Sequence, residues 1–296
     1  MSNMTNRYDF VYLFDVKDGN PNGDPDQDNL PRVDLEDQKG LVTDVCIKRK
    51  VRNYVMFKYA VGKKEGDKEV PAAPYDIFIR EREKFLNDII DEGVKEAKTA
   101  GKDKKSTSLC EKYYDIRTFG AVLSTGDSGG AGVVRGPVQF TFARSIDPIF
   151  QMEHRITRCA VTTEKEAKSQ KDKGREFAST MGHKFTVPYG LYRMHGFVSA
   201  VDAGKSGFSQ EDLDLLWEAL KNAFEHDRSA ARGEMAARKL IVFKHDSHLG
   251  NARSSELFEK VDVKLKENLS LPRGFEDYQV NIDKNMPAGV TLHEML

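Results

Sequence analysis

The segment from Arg7 to Val16 alternates in polarity and is dense in aromatic and branched residues (Tyr8, Phe10, Val11, Tyr12, Leu13, Phe14), and it is followed almost at once by Asp18-Gly-Asn-Pro-Asn-Gly-Asp-Pro25. The first stretch reads as a buried opening strand. The second cannot extend it: Gly and Asn tolerate positive φ, while Pro fixes φ and removes a donor, so the chain has to turn repeatedly here. Thr43 or Asp44 is then placed to cap a helix running to about Tyr59, with Ile47, Val51, Tyr54 and Val55 on one face. Any fold of this chain must open as strand, long loop, helix.

From Gly62 to Ser108 the composition shifts to Lys, Glu, Gly and Asp, with a short strand candidate at Tyr75 to Ile79 and an amphipathic helix candidate around Glu81 to Ala97. This predicts an inserted lobe. Tyr113 to Leu123 and Val138 to Ala143 are strand-like and flank the glycine-rich Ser124 to Gly136. A second polar insertion, Ala160 to Gly182, is bracketed by strand-like Phe150 to Arg158 and Lys184 to Val201, which predicts an exposed hairpin or arm. Ser209 caps a helix whose core stripe is Leu213, Leu216, Trp217, Leu220 and Phe224; Leu240 to Phe243 reads as a short buried strand, and the tail from about Ser270 as irregular. No repeat of 20 to 50 residues is visible. The order predicts one α+β domain over residues 1–296, a sandwich of the split β-α-β kind with two polar insertions. Sheets of this kind often bind RNA.

Charge distribution says more than net charge. The 46 Lys+Arg and 47 Asp+Glu nearly cancel, yet Asp15 to Asp37 carries eight acids against two bases, whereas Val45 to Lys58 has five bases and no acid. Arg155 to Arg175 holds seven bases against three acids, and Arg228 to Lys244 five against one. Three widely spaced cysteines (Cys46, Cys110, Cys159) give neither a disulfide framework nor a close metal-ligand pair. No apolar run approaches the roughly 18 residues of a membrane-spanning helix, and the polar start argues against a secretory signal, so a cytoplasmic protein without a membrane partner is expected.

Several short motifs invite a chemical reading. Gly126-Asp-Ser-Gly-Gly130 matches the nucleophile string of trypsin-like proteases, but there the base histidine precedes the serine, and all seven histidines here follow Ser128. A flexible glycine loop fits better. Asp18-Gly-Asn-Pro-Asn-Gly23 matches half of a calcium loop, but Asn29 stands where a bidentate Glu is needed, leaving a structural turn or a loop shaped for a polymer or a neighbouring subunit. Lys48, Arg49 and Arg52 share a helix face beside the apolar stripe, a fixed cationic strip suited to phosphates. Arg117-Thr-Phe-Gly-Ala-Val122 partly follows the RNA-stacking strand of RNA-recognition domains; a core strand with one exposed Arg fits it equally. The histidines, of which His245 and His248 come closest to ligand spacing, read as surface or hydrogen-bonded core residues. No metal, cofactor or catalytic residue is expected.

Five blocks in order, Gly19-Asn-Pro-Asn-Gly-Asp-Pro25, Val42-Thr-Asp-Val-Cys-Ile-Lys-Arg-Lys-Val-Arg-Asn53, Asp115-Ile-Arg-Thr-Phe-Gly-Ala-Val122, Gly136-Pro-Val-Gln-Phe-Thr-Phe-Ala-Arg-Ser-Ile-Asp147 and Lys184-Phe-Thr-Val-Pro-Tyr-Gly-Leu-Tyr-Arg-Met-His-Gly-Phe197, resemble the backbone subunit of the type I-C CRISPR surveillance complex, Cascade. The resemblance implies an RRM-like (ferredoxin-like) palm, a finger-like lobe at about residues 62–112 and a thumb-like hairpin at about 150–185. It also implies copies polymerised head to tail along a CRISPR RNA, pairing of the guide with target DNA, and companion guide-processing, large and small subunits. By the same resemblance Lys48, Arg49 and Arg52 grip phosphates and Asn20 and Asn22 belong to an RNA-facing loop. Arg117, Arg135 and the backbone at Gly136 are further RNA-binding candidates. Related type III backbone subunits cleave RNA with a loop aspartate and a divalent metal, and Asp15, Asp18, Asp24 and Asp26 keep that alternative in view.

Overall fold

The computed structural model describes residues 4–296 except 61–63, 66–67, 82–83, 103–104, 125–129, 159, 161–162, 166–167 and 169–179. Eight strands form the main antiparallel sheet: β1 (Tyr8–Gly19), β2 (Lys39–Val42), β3 (Val138–Phe140), β4 (Ala143–Pro148), β5 (Met152–Arg158), β6 (Thr180–Val198), β7 (Glu234–His245) and β8 (Val290–Glu294). The order is β8-β7-β1-β6-β4-β2, with β3 and β5 pairing the two ends of the long β6. β1 is central. Its even residues Phe10, Tyr12, Phe14 and Val16 pack under α1 (Asp44–Tyr59) and α6 (Gln210–Lys221), while Val11 and Leu13 face the other layer. Burial on both faces explains why this strand is almost continuously apolar.

The helices start where the sequence directs. Ser209 accepts from the Asp212 amide and Asp212 from the Ser209 amide, a complete capping box for α6. Thr43 stands at the N-cap of α1 without a side-chain capping bond; its hydroxyl and its amide both donate to Asn22 Oδ1, each at 2.9 Å. Opposite Phe10 in the antiparallel pairing of β1 with β6, Gly196 leaves the space that Phe10 fills: a Cβ there would lie 2.0 Å from the Phe10 ring, itself packed edge-on against Trp217 and Phe140.

The expected inserted segment holds α2 (Leu86–Thr99) and α3 (Thr107–Lys112), then α4 (Tyr114–Phe119). These pack a small separate core from Phe78, Ile89, Ile90, Val94, Leu109, Cys110, Tyr113, Ile116 and Leu123. Two strand expectations are corrected here. Tyr75 to Ile79 contributes only a single bridge, Asp76 to Tyr113, and Tyr113 to Leu123 is half helix, with a strand only over Gly120–Leu123. Branched and aromatic composition predicted strand, but burial of Ile116 and Phe119 on helical spacing against two cores won. Gly120–Leu123 pairs with Gly132–Arg135 as a two-stranded ribbon; residues 126–129 of the glycine string lie outside the described residues. β5 and the start of β6 form the expected hairpin stem, and most of the segment between them also lies outside the described residues.

The tail is more regular than its composition suggests. The final strand β8 pairs β7, and α7 (Ser254–Glu259) and the Val261–Leu265/Tyr278–Ile282 hairpin cover the second sheet face with Leu257, Phe258, Val261, Val263 and Tyr278. Both faces of the sheet centre are therefore closed, so the sheet surface itself is not open to a nucleic acid. Among the described residues, no helix is long and apolar enough to cross a membrane.

Candidate nucleic-acid interface

The cationic strip on α1 is present, and its members differ in freedom. Lys48 Nζ bonds Asp44 Oδ2 at 2.9 Å one turn back, and Arg52 Nε bonds Asp115 Oδ2 at 2.8 Å. Both lie over the Phe119 ring, at 5.6 and 5.3 Å from its centroid. Asp115 also accepts from the amides of Phe78 and Ile79, so Arg52 anchors the inserted segment to α1 as much as it presents charge. Arg49 is exposed, with no hydrogen bond or ion pair among the described residues. Lys50, the fourth cation of this run, points inward to Asp227 and the Phe224 ring.

Next to this strip two backbones cross at contact distance. A Cβ on Gly136 would lie 2.2 Å from the Phe119 carbonyl carbon, and one on Gly120, at φ +84°, would lie 2.4 Å from the Val134 carbonyl oxygen. Gly136 is thus buried and required by the crossing itself, so this RNA-binding candidate sits in packed backbone rather than on an open surface. Arg135, paired across the ribbon with Gly120, is 81% exposed and bonds Asp202 Oδ2 at 3.4 Å. Asp202, on α5 (Ala200–Ser206), shares its other oxygen with Lys205, at 3.3 Å.

Arg117 is corrected outright. It lies on α4, is buried, and gives Nε and Nη2 to the two oxygens of Asp212 at 2.9 and 2.7 Å, while Nη1 donates to the Pro74 and Cys110 carbonyls. Its guanidinium carbon lies over the Tyr75 and Tyr114 rings, 5.6 and 5.3 Å from their centroids. Asn20 is buried too, donating to the Asn29 carbonyl and receiving Arg232 on its own carbonyl, and Asn22 ties the loop to α1 through Thr43. The loop asparagines hold shape and do not present an open polar surface. Sequence reasoning missed Phe119 as the ring beneath Lys48 and Arg52; its spacing in the RNA-stacking pattern drew attention to it, but as part of a strand.

The carboxylates of the cleavage alternative are dispersed. Asp15 is buried against Arg238 at 2.8 Å and Tyr189 at 2.9 Å, and burial raises its carboxyl above the usual range despite these partners. Asp24 pairs with Arg32 and accepts the Asp26 amide at 3.2 Å, capping its own turn. Among the described residues, no three His, Cys, Asp or Glu side chains are grouped to hold a metal.

Several histidines work inside the fold, as expected. His245 accepts the Asn251 amide on Nδ1 at 2.9 Å and therefore donates from Nε2 to the buried Asp9 at 3.0 Å. His195 accepts Arg193 Nε on Nε2 at 2.9 Å and stacks on Phe258 at 4.1 Å, while Arg193 also holds the Phe258 and Val261 carbonyls at the end of α7. Burial and the adjacent guanidinium hold His195 down to about 4. Between about pH 6.5 and 4 the unfolded chain takes up a proton that the folded chain refuses, so stability falls as pH falls through this window. Allowing for partial exposure, the loss should reach about 1–2 kcal/mol. Urea melts at pH 7 and pH 5 should show it, and His195→Phe should flatten the difference; an unchanged difference would refute the assignment.

The family model described as CRISPR-associated protein Cas7 matches residues 6–283. A CRISPR-associated protein Cas7 of Haloferax volcanii is 27% identical over 299 residues, covering 94% of this chain and 81% of its own. Among solved structures, a chain of a CRISPR RNA-guided surveillance complex captured before nicking aligns with TM-score 0.47 at 14% identity, covering 80% of this chain and 78% of its own. A second such complex aligns at TM-score 0.44 and 14% identity, covering 80% of this chain and 68% of its own. With the family pattern extending from the entry to β1 to just beyond the last hairpin of the covering layer, the chain belongs to the CRISPR-associated Cas7 family.

Proposed function

We propose that this protein is a non-catalytic backbone subunit of a type I-C CRISPR surveillance complex, polymerising head to tail along the CRISPR RNA and presenting the guide for pairing with target DNA. The family match over residues 6–283 carries the reading. In the core, β1, α1, β4, β6, α6 and β7 follow one another as β-α-β-β-α-β with sheet order β7-β1-β6-β4, which supports an RRM-like palm. Residues of about 62–112 serve as the finger-like lobe and about 150–185 as the thumb. Companion subunits complete the complex in the cytoplasm. Because the sheet centre is covered on both sides, RNA runs along the outer side of α1, over Lys48 and Arg49.

Co-expression with a CRISPR array and the partner subunits tests this. A discrete RNA of uniform length should copurify with many copies of the chain, read from the ratio of absorbance at 260 and 280 nm and from extracted RNA. A nucleic-acid-free monomer under those conditions overturns the proposal.

A further inference from the structure

The ribbon of Gly120–Leu123 and Gly132–Arg135 has two unlike faces. Ala121, Leu123 and Val134 turn into the core of the inserted segment. On the outer face Val122 and Val133 stand directly opposite one another at 69% and 72% exposure, and in the next row Arg135 faces Gly120. No side chain shares that row with the guanidinium. Lys205, also well exposed, joins it through Asp202, so two cations share one carboxylate and the patch keeps a net positive charge. Solvent-facing branched apolar pairs beside an uncrowded guanidinium suit a ligand that is itself apolar on one side and anionic on the other.

We propose that this outer face is a second contact surface for single-stranded nucleic acid, in which Arg135 and Lys205 take phosphates and the Val122–Val133 pair takes the apolar face of a base or ribose. A single strand repeats this combination in every unit: one phosphate, and one base with an apolar face. The location favours it over an acidic peptide. The ribbon begins at Phe119, the ring beneath Lys48 and Arg52, so the patch continues the cationic side of α1, and the inference rests on the RNA-binding reading of that helix. A strand leaving α1 would reach Arg135 first and the valine pair beyond it.

The purified full chain would be titrated with a labelled oligouridylate across about 50 to 200 mM salt. Arg135→Ala with Lys205→Ala should reduce the slope of log affinity against log salt by about 1.4, two phosphates at about 0.7 each for a single strand. Val122→Thr with Val133→Thr keeps β-branching on an exposed face; it should weaken binding about fivefold and leave the slope unchanged. Circular dichroism melts matching the parent would verify folding. If the parent binds RNA in a salt-dependent way and both variants match it, the ribbon surface is wrong and the α1 reading stands. A parent that binds no RNA overturns both, and a parent that prefers oligoglutamate to RNA overturns the assignment of this patch.

Discussion

Replacing Arg117 by Ala is expected to lower the free energy of unfolding by about 3–5 kcal/mol, because it leaves the fully buried Asp212 carboxylate without its counter-ion. The effect extends beyond the pair. Asp212 is also the capping-box residue of α6, and Arg117 donates to the Pro74 and Cys110 carbonyls, so this guanidinium joins the main core to the inserted segment. Arg117→Met combined with Asp212→Asn removes both charges while keeping the amide acceptor, and should cost less than Arg117→Ala alone. Urea unfolding followed by circular dichroism measures all three proteins. An Arg117→Ala protein within about 0.5 kcal/mol of the parent would sink the account, since substitutions away from such sites usually fall in that range.

Lys48→Gln with Arg49→Gln should leave the fold intact and strip the RNA from the copurified complex. Arg49 has no side-chain partner to release among the described residues, and Lys48 gives up its ion pair with Asp44, one turn away, and its place over the Phe119 ring, both at the surface of the helix. Two lost phosphate contacts should flatten the salt dependence of single-strand binding by about 1.4 in slope. Arg52→Gln separates charge from structure: it frees Asp115, whose carboxylate is buried, and should lower stability as well as binding. If the Lys48 and Arg49 double variant retains full RNA occupancy, α1 is not the gripping element. If Arg52→Gln leaves stability unchanged, Asp115 does not depend on it.

How much was legible in the sequence follows from which forces set each element. The opening strand, although it runs on through Asp18 and Gly19 into the expected turn segment, α1 to within a residue, and α6 with its cap were readable because periodicity and capping are local. The RNA-stacking resemblance around Arg117 misled because a branched-aromatic run does not declare whether it will be buried as strand or helix; the deciding partner, Asp212, is 95 residues away. The final strands escaped notice for the same reason: Val290 to Glu294 is a strand because β7 is beside it. On α1, spacing located the charges but could not say that Arg52 reaches Asp115 or that Lys50 turns inward. Asn20 and Gly136 were singled out with the family resemblance, which says nothing of the close backbone packing that surrounds both.

The central position of β1 has a consequence for synthesis. Tyr8 pairs with Val198 on one side and Lys244 on the other, so the most apolar strand waits for partners made some 190 and 236 residues later. At ordinary translation speeds that is about 10–45 s during which Tyr8 to Val16 has no sheet to enter. Contacts so distant along the chain also make folding intrinsically slow once synthesis ends. Until then an apolar, edge-unpaired segment is exposed on the nascent chain, the condition in which aggregation competes with folding.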